Sequence, residues 1–299
     1  MDRLSVPEPS LLHVTSAQMQ DGGRVFAFEA RWLELIDALS DASAIGYDYL
    51  PAISQKMESL LWGKATSPAW VEDRHLKNRL LPLFFQRLRP MFVELDEADA
   101  ESLNVDPALD DREGADPWLT SAMRLLAAAI ELSEDVVVES GINGPQASTC
   151  AVKLADGSAR EIAIVHGYED FLKSLPMREI CRQSSGEVLP RLVKLSIRRF
   201  CLLNPSRIQQ YRYEFDDRFL DHFDDAPPEM RVGCVDALVS RLTQTQKSAQ
   251  ADKGLKDEPF KDAERRMRVT RDWRIHYLYP AESTIRLISL GDHDFGLKK

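Results

Sequence analysis

The residues best equipped for chemistry crowd into one short stretch. Lys261, Arg265, Arg266, Arg268, Arg271 and Arg274 fall within fourteen residues, with Asp272 and Trp273 among them and His293 further on. Cleaving RNA through its own 2′-hydroxyl needs a base for the hydroxyl proton. It also needs cations for the charge that builds at phosphorus, and an acid for the departing 5′-oxygen. Arginine stays charged at any working pH and suits the second task. A histidine, ordinarily titrating near ~6.5, suits the first or the third. On this reading Arg274, His293 and Asp272 are the catalytic candidates, Asp272 serving as base or orienting His293. Arg266, Arg268, Arg271 and Trp273 are the RNA-binding candidates, the indole stacking on an unpaired base. The scheme uses no metal and no cofactor.

The elements that must position these groups can be read from periodicity. Alternation predicts strands over 265–269, 273–279 and 284–290, the last followed by a Gly-Asp-His-Asp-Phe turn. Along 273–279, Arg274, His276 and Leu278 share one face, and Trp273, Ile275, Tyr277 and Tyr279 the other. Arg266 and Arg268 share a face of their own strand, so Arg266, Arg268 and Arg274 are expected to converge. Each residue also has a plainer role. Trp273 fits a core position, Arg266 and Arg268 fit a solvated face paired to Asp262 or Glu264, Asp272 fits a turn, and His293 fits the surface. His276 is a further candidate; His166 reads as structural, and His13, His75 and His222 fit no pattern.

Upstream of those strands the sequence predicts a strand over 211–215 and a helix capped by Asp216 or Asp217 that runs to about Phe223. A longer helix then runs from Pro227-Pro228 to about Lys247, with Val232, Val235, Leu238, Val239 and Leu242 as its buried stripe. Residues 248–263 read as a polar connection. The order is β-α-α-β-β-β.

That order resembles the RelE/ParE toxin superfamily over about residues 208–299. The most specific part is Arg266-Met-Arg-Val-Thr-Arg-Asp-Trp-Arg-Ile-His-Tyr followed, after a turn, by Thr284-Ile-Arg-Leu-Ile-Ser-Leu-Gly-Asp-His. The Asp272-Trp273 pair with the late His293 is most similar to the YafQ branch. The resemblance implies two helices packed on an antiparallel sheet and metal-independent cleavage of messenger RNA, usually on the ribosome. It also implies a protein antitoxin as partner, and the further 205 residues suggest recognition, autoinhibition or assembly with other subunits, as in an antiviral defence system. The superfamily includes gyrase inhibitors and inactive binding members. The alternative is therefore a non-catalytic module that uses the same fold as a docking surface in an assembly.

The rest of the chain is less communicative. Residues 1–23 read as a loosely ordered arm, and 24–205 as a mainly helical domain with a hairpin over about 150–165, turned at Asp156-Gly157. Helices are expected over about 25–61, 71–92, 118–132, 168–175 and 184–203, with an acidic, Pro/Gly-punctuated linker over 93–117. The helix stop at Asn204-Pro205 sets the domain boundary, so 206–299 is the second domain and the fold class is α+β. No Walker loop, dinucleotide loop, HExxH or GxSxG is present, which ranks an enzyme in the first part last.

Charge bears on partners. The net charge is −10, yet residues 206–299 hold 17 basic and 17 acidic side chains, so the excess acid lies in residues 1–205. A basic stripe on a neutral domain can grip phosphates while the whole chain stays acidic. The first part could also screen that stripe in cis. No apolar run reaches the roughly 20 residues needed to span a bilayer. The start of the chain lacks the features of a secretory signal. The expectation is a cytoplasmic protein with no membrane partner. Cys150, Cys181, Cys201 and Cys234 are too widely spaced for a compact zinc site and are expected to be mostly buried free thiols.

Overall fold

A computed structural model describes residues 2–7, 11, 19–62, 68–96, 104–105, 117–133, 135–141, 146–153 and 157–292. The chain is mixed α/β, with two mixed sheets in two compact units. One unit comprises residues 1–43 and 47–174, the other residues 175–299 together with 44–46.

The first unit runs β1 (Asp2–Pro7), α1 (Gly22–Ala44), β2 (Asp48–Ile53), α2 (Gln55–Trp62), α3 (Ala69–Glu72) and α4 (Arg74–Leu83), which continues through a π turn and a 3-10 turn to Met91. It goes on with β3 (Val93–Glu94), β4 (Asn104–Val105), α5 (Pro117–Leu132), β5 (Val136–Glu139), β6 (Thr149–Lys153), β7 (Ala159–Val165) and α6 (Tyr168–Ser174). Its seven strands lie in the order β3-β2-β1-β5-β7-β6-β4. The pairs among β3, β2, β1, β5 and β7 are parallel, and β6 and β4 add antiparallel.

The expectation of a mainly helical domain is therefore corrected; of the stretch read as an arm, residues 2–7 form β1 and Gly22 opens α1, while 8–10 and 12–18 lie outside the described residues. The hairpin over 150–165 is present as β6 and β7, with Gly157 in the left-handed region at φ 82°. The sheet around it was hidden because parallel strands covered on both faces do not alternate. In β1 the polar Arg3 and Ser5 are buried beside Leu4 and Val6. Arg3 is satisfied by Asp135 Oδ1 at 3.0 Å and Ser174 Oγ at 2.6 Å. β2 carries Pro51, a residue that argues against a strand, yet it pairs with Ser5. Glu139, buried at the end of β5, accepts hydrogen bonds from Tyr49 and Arg31. Burial raises its pKa against the opposing pull of Arg31.

The second unit runs α7 (Met177–Gln183), α8 (Leu189–Leu203), β8 (Arg212–Phe215), α9 (Asp217–Asp224), α10 (Pro228–Leu242), α11 (Gln246–Ala251), β9 (Glu258–Pro259), β10 (Arg265–Arg268), β11 (Trp273–Ala281) and β12 (Thr284–Asp292). The boundary lies between Ser174 and Leu175, not at 205/206. The helix stop at Asn204 is real, since Asn204 caps α8. However, α7 and α8 pack on α10 and so belong to the second core. A helix end alone does not reveal which core the helix joins.

The five strands of this unit lie in the order β8-β12-β11-β10-β9. β8 is parallel to β12, so the sheet is mixed rather than wholly antiparallel. The intervening helices supply the crossover that a parallel pair requires. Asp216 caps α9 by accepting from the Arg218 amide at 3.2 Å. One sheet face, with Met267, Ile275, Tyr277, Ile285 and Leu287 fully buried, packs toward the helices.

Arg241 of α10 is the polar centre of that packing and is completely buried. Its Nε donates to Tyr277 Oη at 3.1 Å, and its guanidinium also reaches Tyr279 Oη and the Gln244 carbonyl. Asp257 Oδ2 lies 3.2 Å from Arg241 Nε. Asp257 Oδ1 accepts from Tyr277 Oη at 2.6 Å and Arg265 Nε at 3.0 Å. This network ties α10, the 252–257 loop, β10 and β11 together.

Candidate anion-binding face

Register decides which side chains meet on the opposite face of the second sheet. Arg266 pairs directly with His276, and Arg268 with Arg274. Ser289 and Gly291 of β12 stand opposite His276 and Arg274. Directly opposed residues point to the same face, so Arg266, Arg268, Arg274 and His276 cluster on one side, with small residues beside them.

The three arginines are held differently. Arg274 is only 6% exposed. Its Nη1 donates to the carbonyls of Thr270 at 2.9 Å, Arg271 at 3.1 Å and Trp273 at 2.9 Å, bracing the turn between β10 and β11. Burial lowers its pKa, and the charges of Arg268 and Arg266 lower it further. Arg266 Nε donates to Glu258 Oε1 at 2.7 Å. Its ion-pair partner is thus Glu258, not Asp262 or Glu264. Arg268 is the contrasting case. Its Nε is buried and has no hydrogen-bond partner among the described residues.

His276 lies beneath these cations and is 3% exposed. Its pKa is lowered to about 4, mainly by burial and then by the charges of Arg266, Lys261, Arg218 and Arg274. The ring is therefore neutral at neutral pH. The Phe260 ring packs edge-on against it at 4.6 Å.

The remaining expected site residues fare differently. Asp272 and Arg271 are exposed in the β10–β11 turn, where the Asp272 amide donates to Thr270 Oγ1 at 3.3 Å. That is the plain turn role. Trp273 shares the helix-side face with Ile275 and Tyr277, so the alternation of β11 carries it away from the arginines. His293 lies outside the described residues. His222, which fitted no pattern, accepts from the Leu290 amide through Nδ1 at 3.4 Å and so braces β12.

Sequence reasoning missed Glu258 and Phe260, both in the segment read as a polar connection. The available signal was the aromatic-basic pair Phe260-Lys261 just ahead of the basic strand. Elsewhere in this unit a cleft of about 720 Å³ opens between α7, α8 and α10, with Cys181 and Asp236 in its wall. Burial pushes the Cys181 thiol up to about 12, so it is not a nucleophile at neutral pH. All four cysteines are free thiols, three of them buried.

Chemically, the face is a seat for an anion. It offers fixed cations, one with an unused buried donor, and no described imidazole poised near neutral pH. Among the described residues no group of three or more His, Cys, Asp or Glu side chains is arranged to hold a metal ion, and no helix is long and apolar enough to cross a membrane. No family model, curated protein or solved structure matches the chain.

Proposed function

We infer that the second unit is a RelE-like domain and that the chain is an endoribonuclease acting on messenger RNA. The first unit then serves recognition or regulation, and an antitoxin or defence-system subunit is the partner. The order β8-α9-α10-α11-β9-β10-β11-β12, with β8 beside β12, contains the β-α-α-β-β-β pattern and supports the fold assignment. The observation that carries the function is the Arg268–Arg274 cross-strand pair, whose buried Arg268 Nε has no partner among the described residues. Two like charges set face to face are unfavourable, and a buried donor without a partner adds to the cost. A phosphate between them offsets both. Proton transfer then rests on His293, since His276 is neutral and covered.

The test is cleavage of a ribosome-bound message by the purified full chain. Wild-type protein should cleave. Arg268→Ala should lose activity at every pH, and His293→Ala should lose about 10²–10⁴-fold. RNA binding without cleavage by the wild type would instead favour the second reading, a non-catalytic docking module. The neutral His276 and the Arg274 guanidinium occupied by turn carbonyls are the observations on its side.

A further inference from the structure

The cationic face also carries an aromatic group that the phosphate chemistry does not use. Phe260 begins the turn between β9 and β10. Its amide donates to the Glu264 carbonyl at 2.9 Å, the Glu264 amide returns to the Lys261 carbonyl at 2.7 Å, and Asp262 takes a left-handed φ of 46°. The turn is therefore fixed by its own backbone. The ring sits on the sheet face away from the helix-side core, half-buried and steeply inclined to the His276 ring. The Arg266 guanidinium lies 5.2 Å from its centre, and Lys261 Nζ 5.3 Å. Glu258 holds Arg266 in that position.

Two features separate this group from ordinary packing. A phenyl ring that needs only burial has an apolar core on the other side of the same sheet, yet Phe260 stands among cations. Arg266, already neutralised by Glu258 and laid against a ring, is poorly placed to serve as a phosphate clamp. Planar guanidinium and aromatic surfaces are what unpaired bases stack on. The face thus divides into a phosphate seat at Arg268 and Arg274 and a flat surface one cross-strand pair away.

We propose that Phe260, with the Arg266 guanidinium laid against it, is the platform on which one unpaired nucleobase of a single-stranded RNA stacks while the adjoining phosphate occupies Arg268 and Arg274. This rests on the RNA reading above and adds the subsite that reads the base. It accounts for Glu258 as the residue that positions Arg266 and for His276 as the support under the ring.

The experiment compares binding of a short single-stranded oligoadenylate and an abasic ribose-phosphate strand with the same number of phosphates, using the full chain. Wild-type protein should prefer the base-bearing strand by roughly 10-fold, the size of one base–aromatic stack. Phe260→Leu should lose that preference while holding the abasic strand unchanged, and Phe260→Trp should keep it. Arg268→Ala should weaken both strands alike. Equal binding of the two strands by the wild type, which needs no variant to fold, overturns the platform and leaves the RNA reading intact. A preference retained in folded Phe260→Leu also overturns it. Failure of the wild type to bind either strand removes both proposals.

Discussion

Arg268 of β10 and Arg274 of β11 are directly opposed partners in an antiparallel pair, on the sheet face away from the helices. One is tied to turn carbonyls, and the other keeps a buried Nε without a partner among the described residues. The pair makes the sharpest predictions.

Replacing one member by an acid should help folding and harm binding. Arg268→Glu turns a like-charge pair into an opposite-charge pair, worth about 0.2–1 kcal/mol across strands. Thermal unfolding should rise slightly while RNA affinity disappears. Arg268→Ala should lower the slope of log affinity against log salt by about 1. An unchanged slope would remove the phosphate from this site.

His276 should make stability depend on pH. Its folded pKa, about 4, lies below its ordinary value of 6.5, so the unfolded chain takes up the proton first. The stability contributed by the neutral ring is whole above pH ~6.5 and is lost as pH falls toward about 4, to the extent of roughly 2–3 kcal/mol. Denaturant midpoints of wild type and His276→Gln, compared across that range, should show the difference between them changing in this window. Bound oligonucleotide should raise the His276 pKa by offsetting Arg266, Lys261, Arg218 and Arg274. An imidazole NMR titration that does not move on binding would argue against an anion on this face.

Asp257→Ala should be among the most damaging substitutions in the second unit. It leaves Arg241 buried without its carboxylate and takes a partner from Tyr277 and Arg265. Breaking a buried pair in this way costs about 3–5 kcal/mol. Urea unfolding of the full chain is the measurement, and a loss under about 1 kcal/mol would mean that the network does not hold these elements together.

The domain boundary is testable with fragments. Residues 175–299 should unfold cooperatively, whereas 206–299 lacks α7 and α8 and exposes the face of α10 that they cover. The shorter fragment should bind a hydrophobic dye and lose side-chain NMR dispersion. Equal behaviour of the two would restore a boundary near 205.

The second unit was more legible in the sequence than the first, for a physical reason. β10, β11 and β12 have one apolar and one polar face, so alternation marks both the strands and the side on which Arg266, Arg268 and Arg274 meet. β1 and β2 are covered on both faces, contain Arg3, Ser5 and Pro51, and alternate in nothing. The parity of Trp273 was legible too, since the alternation of β11 puts it beside Ile275 and Tyr277. Phe260 was missed because it lies in a turn, and the strand before it, β9, has only two residues, too short for any period. The pairing of β8 with β12 depends on contacts far apart in sequence and leaves no local mark.

That pairing has a consequence for how the domain comes into being. β12 is the last of these strands to be made, yet it occupies a place inside the sheet, between β8 and β11. The first strand therefore waits unpaired while the ribosome delivers the helices and both basic strands. The β8 edge and the β11-β10-β9 part of the sheet are joined only through β12, so neither can meet the other before β12 has been made.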